Sequence, residues 1–113
     1  MNKTLILVVE DDRPIRNLII TTLKTHDYKY LAAENGSSAI LEASSHHPDI
    51  VLLDLGLPDM EGVEVIKKIR TWSNMPIIVI SARSEGSNII FRTLSPDLLG
   101  NKCMCQYFSH ITG

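Results

Sequence analysis

A doubly wound α/β domain built on a parallel sheet is the fold this sequence predicts. Three observations carry it: nearly continuous apolar runs rich in β-branched residues at 4–9, 49–53 and 76–80, helical apolar spacing between them, and short connections. Strict alternation of strand and helix feeds right-handed crossovers, which place helices on both faces of the sheet.

Each element has its own warrant. Residues 4–9, Thr-Leu-Ile-Leu-Val-Val, have the length and composition of a strand buried on both faces. Ile15, Leu18, Ile19 and Leu23 then recur at helical spacing behind Pro14, whose fixed φ suits a first helical turn. Residues 28–33 form a weaker strand. Ala39, Ile40 and Ala43 mark a second helix, with Gly36-Ser37-Ser38 supplying its cap. Residues 49–53 and 76–80 are the other strong strands, and Val63, Val65, Ile66 and Ile69 form a helix opened by Gly62. Composition changes after Glu85: residues 1–85 hold 21 of the 24 charged side chains, which divides the chain into a core at 1–85 and a divergent tail at 86–113. In the tail, residues 88–94 read as a short helix broken at Ser95-Pro96, and residues 104–108 as a strand.

Composition excludes several function classes. At 113 residues the chain is one domain, able to bury about two-thirds of its extended surface. A net charge of -2 gives no basic field for nucleic acid or an anionic membrane. No apolar run has the length of a membrane span, and Met1-Asn2-Lys3 leads straight into a strand, so a cytoplasmic location is expected. Cys103 and Cys105 are too close for a comfortable disulfide and too few for structural zinc.

The acids are the chemical signal. Ligands of open parallel sheets bind beyond the carboxyl ends of the strands, and Glu10-Asp11-Asp12 follows the first strand while Asp54 ends the third. Carboxylates converging there repel one another unless a cation intervenes, and a few partly hydrated oxygen ligands suit Mg²⁺. A carboxylate beside that ion can attack phosphorus to give an acyl phosphate. Asp12, before Arg13-Pro14, reads as a helix cap, and Asp49 and Asp59, each beside a proline, as turn residues. Ser81, ending the fourth strand at the same edge, offers a hydroxyl to a phosphoryl oxygen, assisted by the amide of Ala82.

Val8-Val9-Glu10-Asp11-Asp12, Leu52-Leu53-Asp54-Leu55-Gly56-Leu57-Pro58-Asp59-Met60-Glu61-Gly62 and Ile78-Val79-Ile80-Ser81-Ala82-Arg83 together resemble the receiver domain of two-component response regulators. The resemblance covers residues 4–85. With Trp72-Ser73 and Ser84-Glu85 it looks more narrowly like the regulators of the Kdp potassium-transport system. It implies a flavodoxin-like receiver fold, here with its last strand and helix atypical or missing. It further implies Asp54 as acceptor of a phosphoryl group from a sensor histidine kinase. Mg²⁺ would be held by Asp11, Asp54 and the backbone carbonyl of Gly56, with Glu10 acting through a water. Ser81 would be the switch hydroxyl and the Ala82 amide a phosphoryl contact. The parent regulator would act in transcription, with no enzymatic turnover beyond the domain's own phosphorylation and dephosphorylation.

The tail departs from the family pattern. Lys102 stands 21 positions after Ser81, close to the family's lysine spacing, but no proline follows it and the strand-like run comes after it, so it reads as a chance placement. The family's Gly-Ala-Asp-Asp-Tyr segment is absent, which leaves Tyr107 and Phe108 as candidate switch aromatics by composition only. No DNA-binding effector domain lies in this chain, so direct nucleic-acid binding is not expected. Residues 77–80 would be an exposed sheet edge if the tail left them uncovered, and a homodimer or swapped dimer stays open. A truncated or frameshifted, non-signalling fragment is the alternative. A haloacid dehalogenase-type phosphohydrolase is a weaker one, because Gly56 stands where that family places its second aspartate.

Overall fold

A computed structural model of the protein describes residues 4–85, 88–94 and 105–111. The chain runs β1 (Leu5–Val9), α1 (Arg13–Thr25), β2 (Lys29–Ala33), α2 (Gly36–His46), β3 (Ile50–Asp54), α3 (Gly62–Arg70), β4 (Ile77–Glu85), β5 (Asn88–Leu94) and β6 (Cys105–Ile111). The strands form one sheet in the order β2-β1-β3-β4-β5-β6. β1 pairs in parallel with both β2 and β3, and β3 with β4, which is the doubly wound half that the apolar runs predict.

The pleat sorts the apolar side chains into two cores. Leu7, Val9, Val51, Leu53, Ile77 and Val79 pack with Ala39 and Ala43 of α2 and with Val65, Ile66 and Ile69 of α3. Their neighbours in the strands, Ile6, Val8 and Ile80, pack with Ile19 on the other face, flanked by Ile15 and Leu23 of α1. Among the described residues the second face has only α1 over it, and Ile78 is 36% exposed there. The weaker signal of β2 follows from its place at the sheet edge, where only Ala33 is fully buried.

Helix ends are set by side chains. Asp12 caps α1 as expected, accepting from the Ile15 amide at 3.0 Å. The cap of α2 is Asn35, accepting from Ser38 N at 2.8 Å, and Gly36 is already helical. Asp49 does more than shape a turn: its carboxylate accepts from Leu5 N at 2.8 Å and ties the start of β1 to the approach of β3.

Three expectations for the last third are corrected. β4 does not stop at residue 80 but runs to Glu85, so Ser81 and Ala82 lie within the strand, in register with Arg92 and Phe91. Residues 88–94 are not helical; they form β5, antiparallel to β4. Two residues separate these strands, enough for a hairpin, whereas a parallel neighbour needs a crossover of about a dozen. The sheet is therefore mixed, since β6 is also antiparallel to β5. β5 pairs with β4 from Val79 onward, so the tail covers Val79 and Ile80 of the 77–80 edge. The strand expected at 104–108 is present as β6. Lys102 lies outside the described residues.

Gly62 is the tightest backbone approach in the parallel half. A Cβ there would lie 2.9 Å from the Leu55 Cα and 2.7 Å from its Cδ2, so the backbone itself would have to shift to admit it. Gly62→Ala is expected to lower stability by about 1–3 kcal/mol, read as a lower urea midpoint at unchanged slope. Gly36→Ala is opposed by the flexible Met60 side chain and should cost less.

Candidate metal centre

The site follows from strand register. Val9 of β1 is paired with Leu53 of β3, so the next residues, Glu10 and Asp54, reach the same end of the sheet on adjacent strands. Glu10 N donates to Ala33 O at 3.0 Å, which continues the ladder toward β2 and holds Glu10 in place. One carboxylate oxygen from each of Glu10, Asp11 and Asp54 lies within 4.8 Å of the others. Glu10 is 3% exposed, Asp54 is half-buried and Asp11 is open to solvent. Gly56 comes close behind, since a Cβ placed on it would sit 3.7 Å from Asp54 Oδ2. On the next strand Asp54 is paired with Ile80, which puts Ser81 one step further along at the same sheet end.

The electrostatics are those of a crowded anionic site. Burial, then the hydrogen bond and the charge of Asp54, push the Glu10 carboxyl from 4.5 up to about 8, partly offset by the Asp12 amide. A proton on Glu10 therefore relieves the repulsion, and a divalent cation would relieve it further. Three oxygen donors of graded exposure, with one side open to water, fit the hard, partly hydrated ion Mg²⁺.

A residue that sequence reasoning passed over supports the cluster from beneath. Arg16 of α1 is 8% exposed, and its Nη1 donates to the carbonyls of Glu10 at 2.8 Å and Asp11 at 3.4 Å. Its Nη2 faces Glu34 Oε1 at 3.5 Å. The guanidinium thus fixes the backbone of two acids and brings a buried positive charge to their side. The signal was present in the sequence: Arg16 falls between Ile15 and Ile19 on the inward side of α1, where a charge requires a partner.

A family model described as the response regulator receiver domain matches residues 6–97. The chain belongs to that family. It is 45% identical over 87 residues to the KDP operon transcriptional regulatory protein KdpE of Escherichia coli K12, covering 77% of this chain and 39% of that protein. It is 44% identical over 85 residues to the transcriptional regulatory protein KdpE of Staphylococcus aureus, covering 75% and 37%. The chain thus spans under two-fifths of the length of these relatives. Among solved structures, the N-terminal domain of a response regulator/sensory box/GGDEF 3-domain protein from Carboxydothermus hydrogenoformans matches with TM-score 0.67 and 29% identity, over 74% of this chain and 69% of that one. The likeness shows the receiver fold. The family match continues past Glu85, where the charge falls away. The dehalogenase-type reading gives way to the receiver assignment.

The raised Glu10 pKa has a stability consequence of definite sign. The folded metal-free protein keeps this proton up to about pH 8, whereas the unfolded chain releases it near 4.5, so between these values the folded state binds more protons and loses stability as pH rises. Urea melts in chelator are expected to show this fall, with an upper bound of about 5 kcal/mol. Glu10→Gln should flatten the slope, and Mg²⁺ should flatten it by displacing the proton.

Proposed function

We propose that this receiver domain is a Mg²⁺-dependent phosphoacceptor, with Asp54 as the residue that takes a phosphoryl group from the phosphohistidine of a sensor kinase. The observation that carries the reading is the meeting of Glu10, Asp11 and Asp54 from two adjacent strand ends. The Asp54 carboxylate forms a bond to phosphorus as the phosphorus–nitrogen bond to the donor histidine breaks, and the electron pair leaves with the imidazole. The product on Asp54 is an acyl phosphate.

Asp11, Asp54 and the carbonyl of Gly56 would hold the ion, with Glu10 acting through a water. Bound Mg²⁺ would supply charge neutralisation for phosphoryl oxygens approaching an anionic site. Arg16 keeps the Glu10–Asp11 backbone in place. Ser81 and the Ala82 amide are assigned to the phosphoryl oxygens on the strength of strand register alone. The domain acts on itself, gaining the group and losing it to water, without turnover of an external substrate. No helix among the described residues is long and apolar enough to cross a membrane, which fits the cytoplasmic setting proposed for it. Transcriptional control would be the output of a longer regulator, as the names of the relatives suggest, and the net charge of -2 gives this chain no field of its own for DNA.

Intact-mass spectrometry after incubation with acetyl phosphate and Mg²⁺ tests the reading. One added phosphoryl group is expected, absent in chelator and absent from Asp54→Asn. Folded protein that takes up no group, or takes it up equally without Asp54, would refute the assignment.

A further inference from the structure

The seven residues between β3 and α3, residues 55–61, carry Gly56 and are held at more points than a turn requires. Their two ends are drawn together where Gly62 N donates to Leu55 O at 3.4 Å. Their far side is held by Asp59, which sequence reasoning assigned to a local turn beside Pro58. The Asp59 carboxylate instead reaches α2, more than twenty residues back in the chain. It accepts from Gly36 N at 2.7 Å, from Ser37 N at 3.0 Å and from Ser37 Oγ at 2.9 Å. The adjacent Met60 fills the hollow left by the missing side chain of Gly36.

These contacts use donors that α2 cannot satisfy internally. The first amides of a helix lack intrahelical acceptors; here Gly36 N and Ser37 N go to Asp59, and Ser38 N goes to the Asn35 cap. A carboxylate in that position gains from charge-assisted bonds and from the helix dipole. The two backbone bonds hold the Asp59 carboxyl below its ordinary range although it is exposed to solvent. Asp59 therefore fixes the loop three residues after Gly56, with only Leu57 and the stiff Pro58 between them.

We propose that Asp59 is a positioning residue: by tethering the loop to the first turn of α2, it sets where the Gly56 carbonyl stands beside Asp54, and hence how tightly the site takes Mg²⁺. This rests on the phosphoacceptor reading of Asp54. It also links α2 mechanically to the loop that follows the acceptor.

The test is Mg²⁺ affinity by titration calorimetry on the full chain, wild type against Asp59→Ala and Asp59→Asn, with thermal melts in chelator as the control for folding. Loss of a supporting shell around a metal ligand weakens binding on the order of tenfold, and Asp59→Ala is expected to show this. Asp59→Asn, which keeps one acceptor oxygen, should fall between it and wild type. Acetyl phosphate labelling of Asp59→Ala should be slow at limiting Mg²⁺ and recover toward the wild-type rate at saturating Mg²⁺. Equal Mg²⁺ affinity in all three proteins would overturn the proposal while leaving the phosphoacceptor reading intact. So would a lowered melting temperature in chelator without any change in affinity, which is what a purely structural cap predicts. A wild type that binds no Mg²⁺ would refute the phosphoacceptor reading, and this proposal with it.

Discussion

Three carboxylates gathered at one end of the sheet repel one another, and burial of one of them makes the repulsion stronger. Glu10 is almost wholly enclosed, so its charge has little water to solvate it, and the neighbouring Asp54 raises the cost further. The surrounding structure responds to this constraint. The β1–β3 register brings the acids together, Arg16 brings a buried guanidinium to the backbone beneath them, and the side bearing Asp11 is left to solvent. Protonation of Glu10 relieves that repulsion, and a bound cation would do the same.

The frame that carries the acids is held by contacts distant in sequence. Asp49 bonds to Leu5 across 44 residues, and Asp59 bonds to Ser37 across 22. Both are carboxylates used as acceptors for backbone amides, a role that requires only a charge and a short stem. The molecule therefore uses its acids in two ways. One set converges at one end of the sheet, where its charges repel one another. The other is dispersed, each member satisfied by main-chain donors, and fixes the frame in which the first set sits.

Much of the parallel half was legible in the sequence because its strands are buried on both faces. Leu7 and Val8 point to opposite cores, and both are fully enclosed, so the strand reads as an unbroken apolar run. The site acids were legible for the related reason that these runs end abruptly in charge. What the sequence concealed was the partner of each polar group. Asp59 sits beside a proline like any turn residue, and nothing local announces that its acceptors reach Gly36 and Ser37. The antiparallel half failed for another cause. Ile89, Ile90 and Leu94 are spaced as a helix or a strand would space them, and periodicity over seven residues does not decide between the two. The deciding signal was the Gly86-Ser87 dipeptide, a short connection of the kind that joins hairpin strands.

The mixed sheet also divides the molecule by the distance its chain must travel to assemble. β4, β5 and β6 find one another across connections of two and ten residues, while β1 cannot meet β3 until the chain has passed through α1, β2 and α2. Loop-closure entropy grows with that distance, so the antiparallel strands form the local ladder and the parallel ones the long-range ladder. The acidic cluster straddles β1 and β3, the pair that closes the longer circuit. The three carboxylates come together only once that circuit has closed, so their mutual repulsion arises with completion of the fold rather than with the first appearance of its strands.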